Sequence, residues 1–198
     1  IPIPTTDNQK EIIDQLDFIY EKCIKTSKEK ILQLNKLNDI YLINQNKHGK
    51  NIIKKIGDVC DFKRGKQLSK SKFISGVYPV IGGGKKPVGF HNEYNRDKNS
   101  ILCSSSGSAG YISKYKEKIW ASDCFSIHSK NNIELDNDYL YYYLKFIQDK
   151  IFKLQTGAAQ PHIYPKTIES INIPIPTIDT QKEIIKYYPI NLSKAVKK

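Results

Sequence analysis

The chain contains no methionine, one tryptophan, two arginines and only four cysteines among 198 residues. Each shortage excludes something. Cys23, Cys60, Cys103 and Cys124 stand far apart with no Cys-x-x-Cys pair, so free buried thiols in a reducing, cytoplasmic compartment are expected. Apolar runs are a few residues long, too short for a helix that crosses a bilayer. The lack of Met even at position 1, with an opening in mid-phrase, favours a fragment of a longer protein. Acidic residues are also scarce: 20 against 32 Lys and Arg, a net charge of +12.

Catalytic signatures are missing as well. Gly82-Gly83-Gly84-Lys85-Lys86 suggests a phosphate loop. That pattern needs a Gly with four residues between it and the Gly-Lys pair, and a Ser or Thr after the Lys. Pro79 and Lys86 occupy those places. Ser104-Ser105-Ser106-Gly107-Ser108-Ala109-Gly110 holds no Gly-x-Ser-x-Gly elbow. Cys124 and His128 have the spacing of half a zinc site, with no second pair close by. No Glu has Lys two residues on, as Mg-dependent nucleases use, and no Asn/Asp-Pro-Pro-Tyr is present. The expectation is a protein without catalysis, metal or cofactor.

What is present is a repeated phrase. Residues 1–13 read IPIPTTDNQKEII and residues 173–185 read IPIPTIDTQKEII, eleven of thirteen positions identical at an offset of 172. Such an echo marks a modular chain in which a Pro-stiffened exit and a helix start flank a globular body. The charge divides along the same lines. Residues 1–50 hold eight Lys and seven acids, whereas 51–172 hold nineteen basic and eleven acidic residues. A polyanion is the obvious partner for the body, and nucleic acid fits better than membrane; a generally Lys-rich composition is the plainer reading.

From Ile12 to Leu42 there is no Pro or Gly, and apolar residues recur at three- and four-residue steps. The spacing predicts a helix of about 36 residues, roughly 54 Å long, within 8–45. Leu16, Tyr20, Leu34, Leu37 and Tyr41 are its expected packing positions. A helix this long needs a partner, in an imperfect coiled coil or along its own domain. Gly49 suits its end. Short strands are expected at 52–59, 77–81, 100–103, 110–113, 119–120 and 124–127, separated by Gly-, Asn- and Lys-rich turns. A helix is expected over 138–153, with Tyr139, Leu140, Tyr143, Leu144, Ile147 and Ile151 on its apolar face. Gln181 to Ile185 begin a second helix that Pro189 interrupts. The class is α+β: a loop-rich, mainly β body with a packed helix, preceded by a long coiled-coil-forming helix. The expected divisions are 1–50, 51–172 and 173–198.

The chain resembles the DNA-specificity (S) subunit of type I restriction-modification systems. The resemblance rests on Ile173-Pro174-Ile175-Pro176 followed by Gln181, Tyr78-Pro79-Val80-Ile81-Gly82-Gly83-Gly84, Gly107 and Gly110, Trp120 with Asp123-Cys124-Phe125, and Gly157 to Ile163. It implies one target recognition domain reading half of a bipartite target in double-stranded DNA. It also implies conserved spacer helices that pack as a coiled coil, and methyltransferase and possibly restriction subunits as partners. Self-dimerisation through the long helix would rebuild a two-domain arrangement. The alternatives are the recognition portion of a fused restriction-methylation enzyme and a basic, non-specific scaffold.

Within such a body, Lys85 and Lys86 follow three glycines, which lets backbone and ammonium groups approach phosphates; a solvated turn is the plain alternative. Arg64, beside Gly65 and Lys66, suits a guanine edge or a surface ion pair. Ser104, Ser105, Ser106 and Ser108 suit phosphate or groove contact, or form a connector. Gln160 suits an adenine edge or an internal role, and His162 sits beside it. Lys114, Lys116 and Lys118 alternate as backbone contacts would along a strand. Tyr141, Tyr142 and Tyr143 read as packing.

Overall fold

The structure, a computed structural model, describes residues 14–21, 52–157 and 159–187. The chain divides into two compact units, 1–50 and 51–198. In the first, residues 14–21 are helical (α1). Leu16 and Tyr20 are 59% and 65% exposed there. Leu34, Leu37 and Tyr41, with most of the expected long helix, lie outside the described residues.

The second unit runs β1 (Ile52–Lys55), α2 (Ile56–Val59), β2 (Cys60–Arg64), a 3-10 turn at Lys70–Lys72, β3 (Tyr78–Ile81), β4 (Gly89–His91), β5 (Ser100–Ser104), β6 (Ile112–Tyr115), β7 (Trp120–Ala121) and β8 (Cys124–Ser129). It continues with α3 (Asn137–Phe146), α4 (Gln148–Phe152), α5 (Pro165–Glu169), β9 (Asn172–Ile175) and α6 (Ile178–Tyr187). The class is α+β, as the sequence pattern predicts.

Three sheets organise the body. The central one has the order β2-β8-β5-β6 and is antiparallel throughout. A smaller one has the order β4-β3-β7, with β3 and β7 parallel. The third is β1 paired with β9, Ile52 opposite Ile175 and Lys55 opposite Asn172. Strand periodicity explains the layering. Successive side chains of β5 and β8 point to opposite faces. Ile101, Cys103, Phe125 and Ile127 enter a core shared with Leu140, Leu144, Ile151, Ile163, Ile168 and Ile173. Leu102 and Cys124 point the other way, into a cluster with Ile81, Ile119 and Ala121. The central sheet therefore carries helices on one face and the small sheet on the other, and all five residues of β5 are buried. Each fully buried Ile, Leu or Phe contributes about 1.5–3 kcal/mol.

The pattern differs from the sequence expectation in three places. The strand expected over 52–59 stops at Lys55. Ile56 and Val59, three residues apart and fully buried, turn inward together as α2. Gly57 permits this because a Cβ there would lie 2.9 Å from the Cβ of Glu169. The helix expected over 138–153 is two helices, divided at Ile147, where the backbone leaves the helical region (φ −90°, ψ 17°). The phrase 173–185, expected as an exit, is built into the body: β9 closes on β1, and Gln181 is fully buried.

Candidate nucleic-acid interface

The turn between β7 and β8, residues 121–124, is a hub to which three loops are tied. On one side it holds the segment after β2. Gly65 N–H donates to Cys124 O at 2.8 Å and Lys66 N–H to Ala121 O at 2.9 Å, while Leu68 N–H donates to Ser122 Oγ at 3.0 Å. Trp120 Nε1–H closes the same segment on Lys66 O at 2.9 Å. On the other side, Ser122 N–H donates to Ile81 O at 2.8 Å and Ser105 N–H to Asp123 O at 3.2 Å. Ser106 Oγ–H donates to the Asp123 carboxylate.

The triple-glycine loop and the serine loop touch directly. Ser108 N–H donates to Gly83 O at 2.8 Å. A Cβ on Gly83 would lie 2.6 Å from Ser106 O, so only glycine allows this approach. Gly110 ends the serine loop at φ +81°, a backbone region that L side chains rarely adopt. A fourth segment, residues 155–163, is tied to the serine loop, through Ile163 N–H to Ser105 O at 2.9 Å and Gln155 Nε2–H to Ala109 O at 2.8 Å. Thr156 and His162 exchange backbone hydrogen bonds of 2.9 and 2.8 Å across its neck, leaving Gln160 at an exposed tip.

The expected contact residues divide accordingly. Arg64, Lys66, Lys85, Lys86 and Gln160 are exposed on segments tied to this hub or to one another, and Ser105, Ser106 and His162 are half-buried among them. Lys66 Nζ stands 5.8 Å from the Trp120 ring centroid, and the His162 ring stacks on Tyr164. Ser104 is placed differently from the other serines. It is the last residue of β5, 3% exposed, with its N–H on Tyr111 O and its O accepting from Gly110. It supports the loop from beneath. Lys114 is half-buried and ion-paired with Asp138, so its charge is already answered; burial lowers its pKa. β6 ends at Tyr115, which takes Lys116 and Lys118 off the strand. Lys116 is exposed. Lys118 Nζ donates to Tyr94 Oη at 2.7 Å.

Sequence reasoning missed several residues here. Arg96 is a structural arginine. Its Nε–H donates to Ser126 Oγ at 2.8 Å, and its Nη groups donate to Asn95 O, Lys63 O and Arg64 O at 2.7 Å each. Asn95 grips the hub, accepting from Ala121 N–H at 2.7 Å and donating to Ala121 O at 2.9 Å. Tyr111 and Lys145 belong to the same neighbourhood. Only the place of Tyr111 beside Gly110 and of Lys145 in an amphipathic helix marks them in the sequence.

Among the described residues, no group of three or more His, Cys, Asp and Glu could hold a metal ion. Burial pushes the Cys124 thiol up to about 12, away from the thiolate a metal or a nucleophile needs, and it lowers the pKa of His128.

The family model of the type I restriction modification DNA specificity domain matches residues 50–188. The chain belongs to this family. The type I restriction enzyme MjaVIII specificity subunit of Methanocaldococcus jannaschii is 34% identical over 144 residues, covering 67% of this chain and 33% of that protein. A type I specificity subunit of Mycoplasma pneumoniae is 29% identical over 134 residues, covering 66% of this chain and 36% of its own length. The specificity domain described here therefore spans about a third of the length of these curated relatives. Among solved structures, the S subunit of the type I system of M. genitalium superposes with a TM-score of 0.65 at 25% identity, over 70% of this chain and 38% of that one. The HsdS subunit of Thermoanaerobacter tengcongensis shares the fold, with a TM-score of 0.56 at 18% identity over 98% of this chain and 53% of that one. No helix of the described residues is long and apolar enough to cross a membrane.

Proposed function

We propose that this specificity domain reads one half of a bipartite target in double-stranded DNA, as a non-catalytic part of a type I restriction-modification complex. The observation that carries the reading is the convergence of three loops on residues 121–124. Sequence readout needs phosphate contacts that fix register and base contacts that discriminate. Lys66, Lys85 and Lys86 supply exposed ammonium groups, while Arg64 and Gln160 carry side chains able to make two hydrogen bonds to one base edge. The main-chain bonds among the loops hold these groups in a fixed relation, and residues 51–172, closed off by β9 and Gln181, act as the target recognition domain. The helix expected within 8–45, nearly neutral, serves protein contact as a spacer. It sets the distance to a second reader and carries methyltransferase subunits, with restriction subunits in a full complex.

The test is selection of the purified chain on a randomised duplex library at roughly 150 mM salt. The expected result is a recovered motif of three to five base pairs, the size one half-site reader covers. Retention without enrichment would overturn sequence reading and leave a basic surface.

A further inference from the structure

Tyr111 stands at the end of the serine loop, between two lysines. Its ring centroid lies 5.5 Å from Lys85 Nζ and 4.6 Å from Lys145 Nζ. Lys85 comes from the triple-glycine loop and is exposed; Lys145 comes from the last turn of α3 and is half-buried. Lys145 is aimed by neutral acceptors, Ile112 O at 3.2 Å and Gln148 Oε1 at 3.4 Å. Gln148 is itself locked. Its Nε2–H donates to Gly110 O at 2.7 Å, and its Oε1 accepts from Ile112 N–H at 2.9 Å. An ammonium group has three N–H donors. Two have acceptors on the protein, and no acceptor for the third is found among the described residues.

Neither lysine forms an ion pair among the described residues. The nearby charge that acts on Lys145 is that of Lys85, and burial together with this like charge lowers its pKa. Two cations around one aromatic ring, neither of them ion-paired among the described residues, repel each other in the free protein. An arriving anion removes that cost. The serine loop that leads to Tyr111 is bound to the glycine loop through Gly83 and to the 155–163 loop through Ile163, so an anion held here fixes the position of these loops together.

We propose that Tyr111, Lys145 and Lys85 form one seat for a single phosphodiester of the DNA backbone, and that this seat sets the register of the loops on the duplex. The inference rests on the DNA-reading function above and adds Lys145 and Tyr111 to its contacts. Because the seat holds a phosphate and no base, it strengthens binding to every sequence equally.

The test compares the salt dependence of duplex binding for the full chain and for Lys85→Ala, Lys145→Met and the double variant, each checked by thermal melting. Each single variant is expected to flatten the slope of log K against log [salt] by about 0.9, the value of one phosphate contact. The double variant is expected to flatten it by the same amount and not twice as much, since both cations serve one phosphate. Base preference stays as in the parent chain. An unchanged slope for folded Lys145→Met, or a double variant that loses twice as much, overturns the shared seat. A second measurement needs no substitution. With lysine labelled at the ε-carbon, adding a mixed-sequence duplex should raise the Lys145 pKa by NMR titration, and an unmoved value overturns the proposal. A parent chain that enriches a motif while Lys145→Met keeps the full slope sinks the seat alone. A parent chain that retains no duplex sinks the DNA-reading function with it.

Discussion

Gln181 Oε1 accepts the backbone N–H of Asp136 at 2.8 Å, and Asp136 in turn caps α3 by accepting the N–H of Asp138 at 2.7 Å. The same carboxamide donates to Glu134 O and Pro176 O, each at 2.8 Å, from a fully buried position. One side chain thus closes the repeated phrase onto the head of α3. Gln181→Ala strands three backbone polar groups and should cost about 3 kcal/mol in urea unfolding. Gln181→Glu loses both donors, buries a charge and should cost more. Asp136→Ala, which removes only the cap, should cost about 1 kcal/mol. A Gln181→Ala midpoint equal to the parent's would refute this account.

The two arginines should respond oppositely to the same change. Arg96→Lys replaces a fork making four hydrogen bonds with a point charge and should lower stability by about 2–4 kcal/mol. Arg64 is exposed, so Arg64→Lys should leave the melt unaltered. In the duplex selection it should relax preference at one base pair, worth about 1–3 kcal/mol. Comparison of thermal melts with selected motifs checks both halves.

Lys86 and Gln160 separate phosphate contact from base contact. Lys86→Ala should weaken binding to all duplexes alike and flatten the salt slope by about 0.9. Gln160→Ala should keep the slope of its phosphate contacts and change the recovered motif at one position. Anisotropy titrations on matched and scrambled duplexes distinguish the two outcomes.

Alkali should destabilise the fold before it disturbs surface charge. Burial pushes the Cys60 and Cys124 thiols from 9.0 up to about 12, and raises Cys103 and Tyr139 too. Above pH 9 the unfolded chain releases thiol protons that the folded chain keeps, so stability falls as pH rises from about 9 to about 12. Below 9 the thiols are neutral in both states and contribute no slope. Urea midpoints from about pH 8 to about pH 11 should therefore decline. A flat profile would show that these thiols are not buried as described.

Much of the body was legible because its strands are short, apolar and bounded by Gly or Asn. Val80-Ile81, Ile101-Leu102-Cys103 and Phe125-Ser126-Ile127 fall in strands where the pattern predicts them. Gly89-Phe90-His91 was not legible as β4, since three residues with one buried side chain give no periodicity. The break at Ile147 has no Pro or Gly to announce it. At the candidate site, Lys85 and Lys86 are marked by their glycines, but Lys145 reads as an ordinary solvated helix lysine. Its seat is made by Gln148, three residues on, and by Tyr111, which lies beside it only after α3 packs across β6. Gln181 was legible as part of a repeat and not as an anchor, because two of its three partners lie over forty residues earlier.

The pairing of β1 with β9 brings the two ends of the body to one seam, Lys55 beside Asn172. Everything between them is a cassette. Because the chain comes in and goes out at the same place, another body with the same two-stranded base can be substituted without moving what flanks it. Recombination within the near-identical phrases at 1–13 and 173–185 would exchange the reader together with the segment that leads into it. The seam separates what must stay constant in such a protein from what can be rewritten.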